Sequence, residues 1–428
     1  MTGTEIAGLK GRRVWDSRGR PTVEVDVRLK AGGLGRSIAP AGASTGAGEA
    51  VDLRDGGAAF GGFDVTRALK AVSGDIAAAL VGVDAADQAA VDRILIELDG
   101  TPNKSRLGAN ALIATSMAVA HAAAREAGLP LWRYLGGSGT SVLPLPEVQI
   151  FGGGVHAARR VDVQDFMVIP LGAGDFVQAI DWSAEVYRAA GELMAESGRL
   201  QGVADEGGYW PAFDSNEQAI DTLVRAIERA GLTPGRDVAI SLDVAASAFG
   251  RRGRYRLSRD GRDLDTDGLC ELLVGWIARY PIVAVEDPFA EDDTAGFARF
   301  TREVGDRVEV VGDDIVVTSP ARVGSAAQAG ACNAILLKPN QAGTLTETRA
   351  ALAAARRAGW GVIVSARSGE SEDVTIVHLA VGWGAPQLKV GSFARSERMA
   401  KWNEALRIAE ALGGRGRLPP GSSFPWGR

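Results

Sequence analysis

Ile282-Val283-Ala284-Val285-Glu286 is a run of four apolar residues that stops on a carboxylate, and the chain repeats the device. Val238-Ala239-Ile240-Ser241-Leu242 runs into Asp243, Val308-Glu309-Val310-Val311 leads to Asp313, and Ala334-Ile335-Leu336-Leu337 ends on Lys338. Gly361-Val362-Ile363-Val364 reaches Arg367 after two small residues, and Lys389 lies within Leu388-Lys389-Val390-Gly391. Amphipathic helices separate these runs. One is expected over Ser215 to Ala230, with Ser215-x-x-Gln218 as a capping box and Gly231 as its stop. Another starts at Thr344-x-x-Glu347 and ends at Gly359. Near-continuous apolar strands alternating with helices read as a buried parallel sheet. A Rossmann-like open sheet fits that periodicity too, although no G-x-G-x-x-G follows a first strand.

The six ionisable positions are spaced by 43, 27, 25, 29 and 22 residues, mostly close to one strand-helix unit. In a (β/α)8 barrel such a repeat sets all of them around the C-terminal mouth. A single charged strand end is ordinarily solvated or ion-paired, but six in succession are costly to bury without a purpose. Asp243, Glu286 and Asp313 would make an all-oxygen site suited to Mg²⁺ rather than zinc. Two lysines and an arginine opposite them suit a small anionic substrate. Lys338 is a candidate base, provided its pKa falls well below the free value of roughly 10.4. An adjacent metal and a second cation push it that way.

Upstream, Val23, Val25, Val27 and Leu29 alternate with Thr22, Glu24, Asp26 and Arg28, the pattern of a half-buried strand. Ala41-Gly42-Ala43-Ser44-Thr45-Gly46 follows, then a largely helical stretch from Val65 to Ala127. Strands followed by helices predict an α+β domain. Leu143-Pro144-Leu145-Pro146 interrupts helix, so an N-terminal α+β domain over residues 1–138 and an α/β barrel over 139–428 are expected.

The 428 residues, 46% hydrophobic and 23% charged, are ordinary for a soluble globular chain. A net charge of −6 offers no footprint for nucleic acid. Cys270 and Cys332 sit in apolar contexts without metal-ligand spacing, as core thiols of a reduced protein. Met1-Thr2-Gly3-Thr4-Glu5 has neither a basic start nor a long apolar run, so a cytoplasmic protein with no membrane span is expected.

Across nearly the whole chain the residues resemble the enolase family. The matching stretches are Asp16-Ser17-Arg18-Gly19 with Pro21-Thr22-Val23-Glu24-Val25, Gly42-Ala43-Ser44-Thr45-Gly46, Asn103 to Ala111, Asp205-Glu206-Gly207-Gly208, Val285-Glu286-Asp287-Pro288-Phe289, Leu337-Lys338, Ser368-Gly369-Glu370 and Ala394-Arg395-Ser396-Glu397-Arg398. The resemblance implies a modified TIM barrel with a smaller N-terminal α+β domain, a homodimer and two Mg²⁺ ions. It implies Asp243, Glu286 and Asp313 as ligands of the first ion and Ser44, on a mobile loop, as a ligand of the second. It makes Lys338 the base that removes the proton beside the carboxylate, a pairing with Mg²⁺ known for such sites, and Glu206 the acid that protonates the departing hydroxyl. Arg367 and Ser368 match phosphate-binding positions, Lys389 a carboxylate-binding one, and His156 a histidine on a loop that closes over substrate. His121 and His378 carry no such role.

The chain departs from the family at several of these places. The usual Ser-His-Arg-Ser-Gly-Glu is Ser365-Ala366-Arg367-Ser368-Gly369-Glu370, Gln-Glu-Phe is Gln164-Asp165-Phe166, and Asn-Gly-Gly-x-His is Gly152-Gly153-Gly154-Val155-His156. Ala248 replaces a glutamate. Losing an imidazole at Ala366 opens volume and removes a donor beside Arg367, and Asp165 retracts a carboxylate by one methylene. The pattern is similar to the carboxyphosphonoenolpyruvate synthase branch of phosphinothricin-type biosynthesis, whose substrate carries a carboxyphosphono group in place of phosphate. The expectation is therefore a hydro-lyase with altered recognition at its phosphorus end. Ordinary glycolytic enolase and a non-catalytic binding protein are the alternatives.

Overall fold

The computed structural model describes residues 3–43 and 45–427. The chain opens with an antiparallel meander of β1 (Ile6–Trp15), β2 (Pro21–Leu29) and β3 (Leu34–Ile38). Val23, Val25, Val27 and Leu29 of β2 are fully buried, as the alternation predicts. Thr22 and Glu24 on its other face are buried as well. Thr22 Oγ1 donates to the Ala39 carbonyl at 2.7 Å, and Glu24 pairs with Arg12.

Helices over Thr66–Leu80, Gln88–Asp99 and Ala109–Glu126 follow. The last packs against β2 and β3. Its alanines permit close approach, and Gly35 of β3 completes the fit: a Cβ there would lie 2.0 Å from the Ala118 carbonyl oxygen. Leu112, Ile113, Met117 and Val119 are buried in this layer, each contributing about 1.5–3 kcal/mol by area removed from water.

Eight strands then close a barrel: β4 (Leu145–Gly152), β5 (Asp165–Ile169), β6 (Ala239–Asp243), β10 (Ile282–Glu286), β11 (Glu309–Gly312), β12 (Ala334–Leu337), β13 (Gly361–Ser365) and β14 (Gln387–Gly391). A small meander of β7 (Gly250–Arg251), β8 (Arg254–Leu257) and β9 (Arg262–Asp265) stands outside it. The expected parallel sheet holds from β6 through β14 and back to β4, but β5 runs antiparallel to both its neighbours. The connection 153–164 holds only a short 3-10 turn. Without a helix a crossover to a parallel neighbour is not made, and the chain turns straight back.

The helices on the outside end where the sequence marks them. Asn216–Arg229 begins after Ser215, whose hydroxyl accepts from the Gln218 amide, and Gly231 follows it at φ 78°. The Gln218 side chain does not complete the box and accepts from the Asp214 amide instead, at 2.8 Å. Leu345–Arg357 starts at Thr344, which exchanges bonds with Glu347, and Gly359 follows it at φ 74°. Cys270 and Cys332 are buried and unpaired. No helix among the described residues is long and apolar enough to cross a membrane.

Candidate active site

The parallel strands bring their C-terminal ends to one mouth. Asp243 and Glu286 are the last residues of β6 and β10 and stand opposite each other in register. Because β5 is reversed, its first residue reaches the same rim, and Asp165 pairs in register with Asp243. Asp313 follows β11, Lys338 follows β12, Arg367 lies two residues beyond β13, and Lys389 lies within β14. Side chains of all seven converge there and, Lys338 apart, are buried to 7% exposure or less.

Lys389 Nζ is shared by three acids, at 2.6 Å from Glu286 Oε2, 3.0 Å from Asp243 Oδ2 and 3.4 Å from Asp165 Oδ2. Burial opposes its charge, yet Asp243, Glu286 and Asp165 outweigh that and hold its pKa well above the usual lysine range. Asp243 is held low, since Lys389 and Lys338 more than offset its burial. Glu286 moves the other way, lifted well above its ordinary value by burial and by the neighbouring Asp243. Asp243 Oδ1 and Glu286 Oε1, one oxygen on each acid, are buried with no hydrogen-bond partner among the described residues.

Lys338 pairs with Asp313 Oδ2, whose other oxygen accepts from Gln341 Nε2 at 2.9 Å. Burial is the largest single influence on Lys338 and lowers its pKa, but Asp313 and Glu286 together outweigh it, so the amine stands above its ordinary value, opposite to what a base requires. The three predicted metal ligands do not form a tight cage: Lys389 sits between Asp243 and Glu286, and Lys338 on Asp313. Among the described residues, sets of three or more potential ligand atoms within 4.8 Å of one another are His156, Asp165 and Glu206, and Asp287, Asp313 and Asp314. In the second set Asp287 accepts the amides of Asp313 (3.0 Å) and Asp314 (2.8 Å), which makes it a backbone buttress. The unpartnered oxygens of Asp243 and Glu286, with Asp313 beside them, are a donor set that fits a hard cation. Ser44 lies outside the described residues.

Asp165 and Glu206 form a carboxylate pair with divergent environments. Burial lifts Asp165 to about 6, with Lys389 opposing and Glu206 adding to the rise. Glu206 is also buried, but His156, Arg398 and Lys389 hold it below its ordinary value. His156 Nε2 is 3.8 Å from Glu206 Oε1, and its loop is folded inward, with the Asp205 amide donating to the His156 carbonyl. His156, Asp165, Glu206, Asp243, Lys338, Ala366, Arg367, Ser368 and Lys389 all line one narrow polar cavity. Arg367 is engaged by both oxygens of Glu49, at 3.0 and 3.3 Å, and by Asn340 Oδ1 at 3.1 Å.

Sequence reasoning missed Glu49, Gln149 and Gln341, and quoted Gln164 without giving it a role. Gln164 Nε2 donates to Asp243 Oδ2 at 3.1 Å, and Gln149 bridges Asp165 to the Gly208 amide. Gln149 was findable, as a lone amide within the apolar run Val148-Gln149-Ile150. Glu49 lies just past the glycine-rich stretch, and nothing local announces that it meets Arg367. His121 and His378 lie away from the mouth. His121 Nε2 bonds Thr375 Oγ1 at 2.8 Å, and His378 Nε2 is 3.4 Å from Glu404.

Two family models match the chain. One, described as the enolase N-terminal domain, matches residues 6–135, and the other, described as the enolase C-terminal TIM barrel domain, matches residues 140–423.

Proposed function

The chain belongs to the enolase family, and from that premise we propose that it eliminates water from a 2-phosphoglycerate-like acid whose phosphorus end carries a carboxyphosphono group, giving carboxyphosphonoenolpyruvate. The observation that carries the reading is Ala366: it lines the cavity between Ser365 and Arg367, where the family pattern has an imidazole. A methyl there leaves room for a further carboxylate beside the Arg367 guanidinium. We assign the protein to phosphonate biosynthesis, as a cytoplasmic homodimer.

In this reading Lys389 and Arg367 with Ser368 hold the two anionic ends. Asp243, Glu286 and Asp313 would hold one Mg²⁺ and Ser44 would contribute to a second, which supply positive charge where the substrate carboxylate gains its second negative charge. Lys338 takes the proton from the carbon beside the carboxylate. It can do so only when neutral, so Asp313, which holds it charged, must have its own charge engaged elsewhere during turnover. The proton for the departing hydroxyl comes from the Asp165–Glu206 pair. Both line the cavity, and Asp165, lifted to about 6, holds a proton more readily than Glu206, which is kept low. We therefore assign the proton to the pair, not to Glu206 alone.

Turnover tests the proposal. With Mg²⁺, enol product should form faster from the carboxyphosphono acid than from 2-phosphoglycerate. A strong preference for 2-phosphoglycerate would instead identify a glycolytic enolase, and no turnover of either would point to a non-catalytic protein. Ala366→His should shift the preference toward 2-phosphoglycerate.

A further inference from the structure

The helix Ser396–Leu412 sends two cations one turn apart into the body of the protein, and neither lines the cavity. Arg398 and Lys401 are both 0% exposed. Arg398 Nη1 donates to the carbonyls of Arg367 (2.7 Å) and Val390 (2.9 Å), and Nη2 donates to that of Ser368 (2.6 Å). Lys401 Nζ donates to the Ser371 carbonyl at 2.9 Å and pairs with Glu370 Oε2 at 3.0 Å. Glu370 in turn accepts the Arg367 amide at 2.9 Å. One helix thus grips both ends of the segment 367–371.

The Arg398 contacts are made to two strand ends at once. Arg367 and Ser368 follow β13, whereas Val390 is the neighbour of Lys389 in β14. A guanidinium is a rigid planar fork, so its two nitrogens fix the distance between the groups they hold. Packing leaves it little freedom: a Cβ on Gly391, whose φ is +116°, would come within 2.9 Å of Arg398 Cδ. A buried cation that served only to fill space could take any carbonyls; this one takes those of Arg367 and Ser368 and of the residue next to Lys389.

We propose that Arg398 is a positioning residue that sets the separation between Arg367–Ser368 and Lys389, and with it the length of diacid the cavity accepts. The inference rests on the functional reading, in which those groups bind the two ends of the substrate. Lysine at 398 keeps a positive charge but loses the fork that spans the two strands.

The test compares the native protein with Arg398→Lys, Arg398→Met and Lys401→Met, each with Mg²⁺. Calorimetry would measure affinity for whichever of the two acids above the native protein turns over, and for its homologue with one more methylene between carboxylate and phosphorus. Arg398→Lys is expected to weaken the acid of native length roughly ten- to hundredfold. It should also compress the preference between the two lengths, raise KM more than it lowers kcat, and speed amide exchange in 366–371 while the barrel strands stay protected. Lys401→Met is expected to speed exchange there and leave the length preference intact. A folded Arg398→Lys protein with native affinity and length preference overturns the inference alone, even if Arg398→Met fails to fold. A native protein that binds neither acid removes the functional reading and this inference together.

Discussion

Acids are buried at two levels of the barrel, and the levels treat them differently. At the mouth, Asp165, Asp243 and Glu286 share Lys389, while Asp313 has Lys338. Deeper in, Glu147 of β4 and Glu309 of β11 are at most 1% exposed, near Gln387 of β14. Ser241 donates to Glu147 Oε1, but Glu147 Oε2 and both oxygens of Glu309 have no hydrogen-bond partner among the described residues. Burial lifts Glu147, with Lys389 opposing from a distance, and lifts Glu309 to about 8. Gln387 stands close enough to favour the charged form of Glu309 slightly, short of a hydrogen bond. The lesson is that burial alone makes an acid a proton holder in this barrel. The same burial with amines at hand divides the acids, holding Asp243 low while Glu286 and Asp165 stay raised.

The largest test of this contrast is Lys338→Ala, which should lower turnover by about 10²–10⁴-fold with circular dichroism unchanged; retained turnover would remove the base from the mouth. Next, Gln164→Ala and Gln341→Ala release the amides that orient Asp243 and Asp313. Each should weaken Mg²⁺ binding by roughly 10–100-fold in calorimetry, and native affinity would show that the acids hold their places unaided.

The deeper level makes its prediction through pH. Folded, Glu309 keeps its proton up to about 8, whereas in the unfolded chain it ionises near ~4.3. Between those values the folded state holds the extra proton, so stability falls as pH rises. Glu309→Gln should therefore gain stability relative to the native chain between pH 5 and pH 8, by on the order of a few kcal/mol, read from denaturant melts at both values. A constant difference would mean that Glu309 is ionised or paired. The smallest effect is a control away from both levels: Thr344→Ala removes a helix cap and should cost about 1 kcal/mol at either pH, with Mg²⁺ affinity unchanged.

The mouth was legible in the sequence because the charges recur at or near the ends of apolar runs, about one strand-helix unit apart. The deeper level was not. Glu309 sits inside such a run, and Glu147 follows Leu145-Pro146, where alternation does not say which face looks inward. The reversal of β5 was likewise hidden, since it depends on what the 153–164 connection lacks. That omission also left the place of Asp165 to the resemblance alone. The amides that orient the acids escaped notice because each lies far along the chain from the acid it serves, as Gln164 does from Asp243.

The reversed strand has one more consequence. Since β4 ends and β5 begins on the same rim, the segment that bears His156 is a strap with both buckles on one edge of the barrel, and no strand register passes through it. Lengthening a surface loop costs little, about 0.6 kcal/mol for each doubling. Extra residues between Ala157 and Arg160 would alter how far the imidazole reaches while leaving every wall of the vessel beneath it in place, so this strap is where new substrate sizes can be tried at least risk to the fold.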